Sequence, residues 1–426
     1  MENKIKTLED TRKHIFYDVL EDELMKPVIK YGAHSRIESL GYMMYVVGVV
    51  AILIAMIASG ITTIVVCRGN KVMITNISHM ILLFIFTILA ITIRHVFDKR
   101  LEDVMSSIRK GIYLYTEEVW DGEEARIREK WERKMRFYVR LFVKLLTSCW
   151  VQASLLLSLV KYFYSRDLNT YSGINQLLPY PFYMPFDTES AAGFWLAYLL
   201  VIIANFYIVV VVMDINGYYV TVVLTTVAEL QVLNHSVRTI ELRAYRLRQR
   251  ARGLEVTSIE VPKSMFDDEA FQRYLYTCLL NNLRHHKAIL AFKKLGDGYV
   301  GTVLGMLISV VGVILALSLY LLQEDPDKHT LFTCLSIFTA ELLYTFYVCY
   351  FGQLVIEESK TLYLALYETP WFLWKNSYTK VLHIMMSCVI RPLNITCIGL
   401  NITASLQLYS DMISGMYKLV NVMRRS

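Results

Sequence analysis

The chain has 426 residues, 55% of them hydrophobic and 19% charged, with a mean hydropathy of +0.39 and a formal net charge of +6. This composition excludes intrinsic disorder and is too apolar for an ordinary soluble domain. The basic excess does not indicate a nucleic-acid partner, because Lys and Arg sit beside apolar runs, where they set topology and meet anionic lipid heads.

Residues 1–41 are polar and carry both signs, so no cleavable signal peptide is expected there. Ile15, Phe16, Val19, Leu20 and Leu24 have helical apolar spacing, which predicts an amphipathic helix in this cytoplasmic N-terminal segment. Seven apolar runs follow, at about 42–66, 73–93, 137–160, 190–213, 299–322, 331–352 and 381–417. Each approaches or exceeds the ~20 residues a helix needs to cross ~30 Å of hydrocarbon. Of the 41 Lys and Arg outside these runs, 33 lie in the first, third, fifth and seventh connecting segments. Cytoplasmic segments retain positive charge. The expected fold class is therefore an all-α membrane protein with seven transmembrane helices, the N-terminus cytoplasmic and the C-terminus extracellular. A G-protein-coupled receptor has the reverse orientation.

Spans one to four occupy 42–213. The charged stretch 94–136 is helical in pattern and should prolong spans two and three into the cytoplasm. Outside, 161–189 contains LPYPFYMPFD, where Pro179, Pro181 and Pro185 forbid a regular helix and the aromatic density predicts a compact lid. Residues 214–298 read as a cytoplasmic segment of two helical halves, 217–252 and 266–298, parted by a mobile loop over 253–264. Spans five and six and a cytoplasmic anchor helix fill 299–380, and 381–426 holds the last transmembrane helix.

No HExxH, Walker A or GxSxG motif occurs, so neither an enzyme nor a cofactor is expected. The seven cysteines form no CxxC and lie mostly within spans, which argues against a disulfide framework. His285 and His286 are adjacent, so they point apart on a helix and do not make an i,i+4 metal pair. Gly296 to Gly301 spells GxGxxG, but no strand precedes it and it runs into a span. The overlapping Gly301-x-x-x-Gly305 fits close helix packing instead. No internal repeat is visible, which argues against transporter folds built from duplicated halves.

Ionisable residues within spans are few and therefore informative. Glu341 lies midway through span six. In the last span Gln407, Asp411, Ser414, Lys418, Asn421 and Arg425 recur at spacings of three and four, a continuous polar stripe. Either this face packs inward within one bundle, or it lines a water-filled path at an oligomer axis, since lipid would not tolerate it. Trp150 and Ser154 in span three, Tyr198 and Phe206 in span four, and Phe338, Tyr344 and Tyr347 in span six are expected to gather toward the outer side of their spans. Individually these are packing or interfacial residues. As a set they have the chemistry of an apolar cavity for a small volatile ligand.

Toward the C-terminus Ala365-Leu366-Tyr367 with Trp371, Arg391-Pro392-Leu393, Gly399, Ser405-Leu406-x-x-Tyr409 and Tyr417 follow one another. In this order they resemble the signature of insect odorant receptors, and LPYPFYMPFD resembles an expanded form of that family's Tyr-Pro-Phe-Asp loop. The resemblance covers essentially the whole chain. It implies an odorant-gated cation channel in which an odorant-binding subunit joins an odorant receptor coreceptor in a heterotetramer, in the plasma membrane of sensory dendrites. It further implies that the last half-helix lines the pore, that cytoplasmic helices form most subunit contacts, and that Val422 stands at the hydrophobic gate ring. Two departures bear on the assembly. Arg424 and Arg425 follow the gate where neutral residues are expected, and a basic mouth repeated four times would oppose cation entry. The long cytoplasmic insertion of the coreceptor is absent, so the chain reads as the odorant-tuning subunit. A gustatory receptor is the closest alternative, but its Thr-Tyr…Gln-Phe pattern is missing. A G-protein-coupled receptor lacks support from Asp-Arg-Tyr or Asn-Pro-x-x-Tyr.

Overall fold

Helix boundaries fall where the sequence supplies caps and breakers. The computed structural model describes residues 40–115, 122–156, 174–254, 260–323 and 328–423; the expected amphipathic helix at 15–25 and Arg424 and Arg425 lie outside them. After α1 (Leu40–Val66), Asn70 caps α2 (Lys71–Val96) by accepting the Met73 N–H at 3.0 Å. α3 (Asp98–Lys110) stops at Gly111, whose φ of 79° ends the helix, and α4 (Glu123–Trp150) passes into a π-turn at Val151–Leu156. Ser190 caps α5 (Ala191–Arg238), a 48-residue helix, and α6 (Ile240–Ala251) follows after Thr239. The two longest remaining helices are α7 (Glu269–Gln323), 55 residues, and α8 (Lys328–Tyr367), 40 residues. The chain ends in α9 (Asn376–Val389), a two-stranded hairpin of β1 (Thr396–Cys397) and β2 (Ile402–Thr403), and α10 (Leu406–Met423).

Among the described residues four helices are long and apolar enough to cross a membrane: α1 from Met44, α2, α5, and α7 to Leu321. At 1.5 Å per residue α5 and α7 run about 72 and 82 Å, more than twice the hydrocarbon thickness, so each has a long part outside it. The bundle thus has a loop end, where residues 174–190 lie, and a basic end, which carries α3 and the arginine-rich α6. The stretch 214–298, expected to hold two helical halves, is helical on both sides of 253–264. Its first part is the continuation of α5 and its second the beginning of α7: no Pro occurs at either junction with a span, and Gly217, Gly296 and Gly298 lie inside unbroken helix. Around 253–264 the structure shows Gly253 at φ 73° and a 3-10 turn at Lys263–Asp267, while 255–259 lie outside the described residues.

The proline-punctuated loop is folded. Leu178, Phe182 and Met184 enter a core with Leu53, Met56, Phe84 and Val201 from α1, α2 and α5. The Ser59 hydroxyl donates to the Tyr183 carbonyl, and the Tyr183 N–H donates to Thr63 Oγ1 at 2.7 Å.

A polar knot marks the level where α2, α5 and α7 leave their apolar windows. Arg94 Nε lies 3.4 Å from Asp214 Oδ2, its Nη2 donates to the Tyr218 hydroxyl at 2.9 Å, and its guanidinium stacks 4.4 Å from the Tyr218 ring. Tyr299 packs edge-on against Tyr218.

The apolar run 381–417 is not one helix. Pro392 forbids continuation, Gly399 (φ 92°) and Asn401 (φ 55°) turn the chain, and Thr396 pairs with Thr403 and Cys397 with Ile402. Gly301 and Gly305 seat this hairpin, not another helix as their spacing predicts. The Ile398 N–H donates to the Gly301 carbonyl at 2.8 Å, and a Cβ at Gly305 would lie 2.2 Å from the Ile398 carbonyl oxygen. From there α10 climbs beside α7 toward the loop end for about 27 Å.

Candidate functional site

Two regions carry the residues singled out in the sequence. In the first, α4 and α5 meet toward the loop end. The Trp150 and Phe206 ring centroids are 5.7 Å apart. One to two turns further up, the Tyr198 hydroxyl reaches the carbonyls of Ser154 (3.5 Å) and Leu155 (3.4 Å) within the π-turn. Such turns displace a carbonyl from the regular ladder and free it for a side-chain partner. Trp150, Ser154, Tyr198 and Phe206 are therefore neighbours.

Tyr344 and Tyr347 are not with them. They stack 6.4 Å apart on α8, and Phe142 of α4 lies 5.5 Å from each ring. Phe142 is eight residues before Trp150, about 12 Å nearer the basic end. Tyr347 accepts from Asn216 Nδ2 at 3.4 Å, at the level of the Arg94–Asp214 knot. Measured from Lys328, Tyr344 and Tyr347 sit about 24 and 28 Å down α8, past the midpoint of the run at 331–352, and so not on the outer side where they were expected. Phe338, higher on the same helix, packs against the main core.

The second region is α10. Leu408 is buried and Tyr409, Met412 and Met416 are partly buried against α7 and α8, while Gln407, Asp411, Ser414 and Lys418 are exposed on the opposite side. Gln407 donates to Asp411 Oδ1 at 2.9 Å along the stripe. Val422 is 65% exposed beside it, and Arg425 lies outside the described residues. Among the described residues the polar face from Gln407 to Lys418 does not pack inward within the chain. Beside α10, an apolar pocket of about 620 Å³ opens between it and α7, lined by Ile308, Gly312, Ala316, Leu400, Leu408 and Met412 among others.

A third constellation was not visible in the sequence. At the basic end Glu229 of α5 accepts from Arg128 of α4 twice, at 2.9 and 3.0 Å, and pairs with His285 Nε2 of α7 at 2.9 Å. The other ring nitrogen of His285 meets the Tyr115 hydroxyl at 2.9 Å, and the Tyr113 ring stacks 5.0 Å from the imidazole. Arg243 closes the cluster by donating to Asn282 Oδ1 at 3.1 Å and to the Ser236 hydroxyl. Burial would raise the Glu229 carboxyl, but Arg128 and the His285 hydrogen bond outweigh it and hold the pKa at about 2. Burial lowers His285 despite that carboxylate. Its partners lie 56 and 170 residues away in sequence, so no local signal betrays them. Among the described residues no group of three or more His, Cys, Asp and Glu could hold a metal ion.

No curated protein matches the chain significantly. Its fold is similar to that of the insect olfactory receptor OR5 from Machilis hrabei in complex with eugenol, with a TM-score of 0.72 at 13% identity over 99% of this chain and 98% of that one. A further structure of the same receptor gives 0.70 at 13% identity over 95% and 99%. The profile described as 7tm Odorant receptor matches residues 70–417. The chain, a helical multi-pass membrane protein, belongs to the 7tm odorant receptor family.

Proposed function

We propose that this chain is the odorant-binding subunit of an odorant-gated, non-selective cation channel. It has seven spans, a cytoplasmic N-terminus and basic end, and an extracellular C-terminus, and it works with the odorant receptor coreceptor in the plasma membrane of sensory dendrites. The observation that carries the reading is the outward polar face of α10. Gln407, Asp411, Ser414 and Lys418 point away from their own bundle at membrane depth, where lipid would leave them unsolvated. An aqueous path shared with other subunits satisfies them, and Val422 on that helix serves as the hydrophobic constriction.

Assembly is supported at the other end. Leu364, Tyr367, Phe372, Ile384 and Ile390 are exposed near the ends of α8 and α9, with Phe372 at 72%. Leu364 and Tyr367 sit about 54 and 58 Å along α8 from Lys328 and so beyond the hydrocarbon, where an exposed apolar patch marks a subunit contact. A small volatile binds at Trp150, Ser154, Tyr198 and Phe206, and Phe338, Tyr344 and Tyr347 carry its effect down α8.

The test is current recording against a panel of volatiles in cells expressing the chain with and without the coreceptor. Ligand-evoked cation current only with both subunits is the expected result. Epitopes before Met1 and after Ser426 should be labelled inside and outside respectively; the opposite pattern, or substrate accumulation without current, overturns the reading.

A further inference from the structure

Among the described residues one amide in the membrane part of the bundle, that of Asn205, has no hydrogen-bond partner at either atom. Asn205 lies on α5, seven residues past Tyr198, so the two share a helix face about 10 Å apart. Its residue exposure is 4%, and neither Oδ1 nor Nδ2 has a hydrogen-bond partner. The surrounding face of α5 is apolar, with Val201, Ala204 and Ile208 all buried. Elsewhere in the spans hydroxyls satisfy themselves on their own helix, as Thr87 does on the Leu83 carbonyl at 2.7 Å and Ser309 on the Gly305 carbonyl at 2.9 Å. An amide cannot be satisfied in this way at both atoms, and left bare in an apolar setting it is strongly disfavoured.

A second unpaired donor lies at the same level. The Trp150 Nε1 is buried without a partner, and its ring contacts Phe206, the residue after Asn205. Just beyond Trp150 the helix becomes the π-turn whose carbonyls hold Tyr198. His79 Nε2 on α2 is also unpaired, but it shares the helix face of Phe86 and Ala90, which turns toward the main core. Among the described residues one acceptor and two donors therefore remain open at this level of α4 and α5.

Building on the odorant-binding reading above, we propose that the ligand is a hydroxylated volatile, an alcohol or a phenol, and that Asn205 sets this specificity. The ligand O–H donates to Asn205 Oδ1, while its oxygen accepts from Asn205 Nδ2 or Trp150 Nε1. Ethers, ketones and esters only accept and leave Oδ1 bare; hydrocarbons do neither. A site built around a hydroxyl rejects analogues that lack it far better than a greasy pocket distinguishes size.

The experiment uses two probe pairs that differ by one O-methylation: eugenol and its methyl ether, and 1-hexanol and its methyl ether. Thermal unfolding of the purified full chain is measured with each probe, and current is recorded from the chain with the coreceptor. In the wild type the hydroxyl member of at least one pair should stabilise the protein and act at concentrations at least about tenfold below its ether. Asn205→Leu should erase that preference by weakening the hydroxyl member alone, and Asn205→Ser, which keeps a donor and an acceptor, should retain part of it. Because Asn205→Leu removes a bare amide, it should also raise the unfolding temperature without ligand, whereas an amide with a structural partner gives the reverse. Equal behaviour within both pairs, or a preference that survives in Asn205→Leu, overturns the proposal. Hydroxyl-selective stabilisation without any current leaves the ligand assignment standing and removes the channel reading instead.

Discussion

Arg128 on α4 grips Glu229 on α5 through two parallel hydrogen bonds, Nε to Oε1 at 2.9 Å and Nη2 to Oε2 at 3.0 Å. The carboxylate is almost wholly buried, so this is a tie between helices and not a surface ion pair. Removing one partner leaves the other charge stranded, at about 3–5 kcal/mol. Glu229→Gln and Arg128→Met are each expected to lower the unfolding temperature of the purified receptor sharply. The double variant should lie above the sum of the two losses; strict additivity would show that the pair is not coupled.

Acidification should loosen the same end. Burial lowers His286 to about 4, against an ordinary 6.5, and burial lowers its neighbour His285 as well. For a base depressed in the folded state, the unfolded chain takes up the proton first, so stability is complete above about 6.5 and declines as pH falls toward 4. The His286 share amounts to about 3 kcal/mol. Glu229, held near 2, adds a further loss only below about 4.5. Unfolding temperatures measured from pH 7.5 to 5 should fall, and His286→Phe should flatten the slope. An unchanged slope in that variant would assign the effect elsewhere.

Gly305→Ala places a methyl 2.2 Å from the Ile398 carbonyl oxygen, so the hairpin must move off α7. Overpacking of this kind costs about 1–3 kcal/mol, little enough for the protein to reach the surface. Ligand-evoked current should nevertheless be altered in size or concentration dependence, because α10 hangs from the hairpin. Wild-type responses at equal surface labelling would mean that the hairpin does not set the position of α10.

Val422→Ser should raise the ligand-independent current of the assembled channel, since a polar ring makes a closed hydrophobic constriction easier to wet. Asp411→Asn should reduce cation selectivity, most visibly at low ionic strength, where screening is weakest. Unaltered leak and permeability ratios in both variants would move the pore off this helix.

Much of the fold could be read from the sequence because membrane helices advertise themselves through hydropathy, and α1, α2, α5 and α7 fall where the runs predict. The stripe from Gln407 to Lys418 was equally visible, because helical periodicity lies within one segment; only its outward direction needed neighbouring helices. Other features depend on contacts between distant segments. Nothing near His285 announces Glu229 or Tyr115. Gly301 and Gly305 signal a close approach without saying whether a helix or a hairpin makes it. Hydropathy also blurs breaks, so Pro392, Gly399 and Asn401 sit within one apolar run although they divide it. Asn205 carries no signal in the sequence, because a lone amide among aliphatic residues disturbs no average, yet that isolation is what singles it out.

The two-rung ladder of Thr396–Thr403 and Cys397–Ile402 fixes more than a bend. Each residue of an α-helix turns the side-chain direction by about 100°. Deleting or inserting one residue between the ladder and Leu406 would therefore rotate α10 about its own axis, carrying Gln407, Asp411 and Lys418 off their present bearing while Leu408 and Met412 swung out of their seats. The hairpin is thus the element that sets the rotational phase of the last helix. Changes in length between residues 394 and 406 should be far less tolerated than changes in side chain.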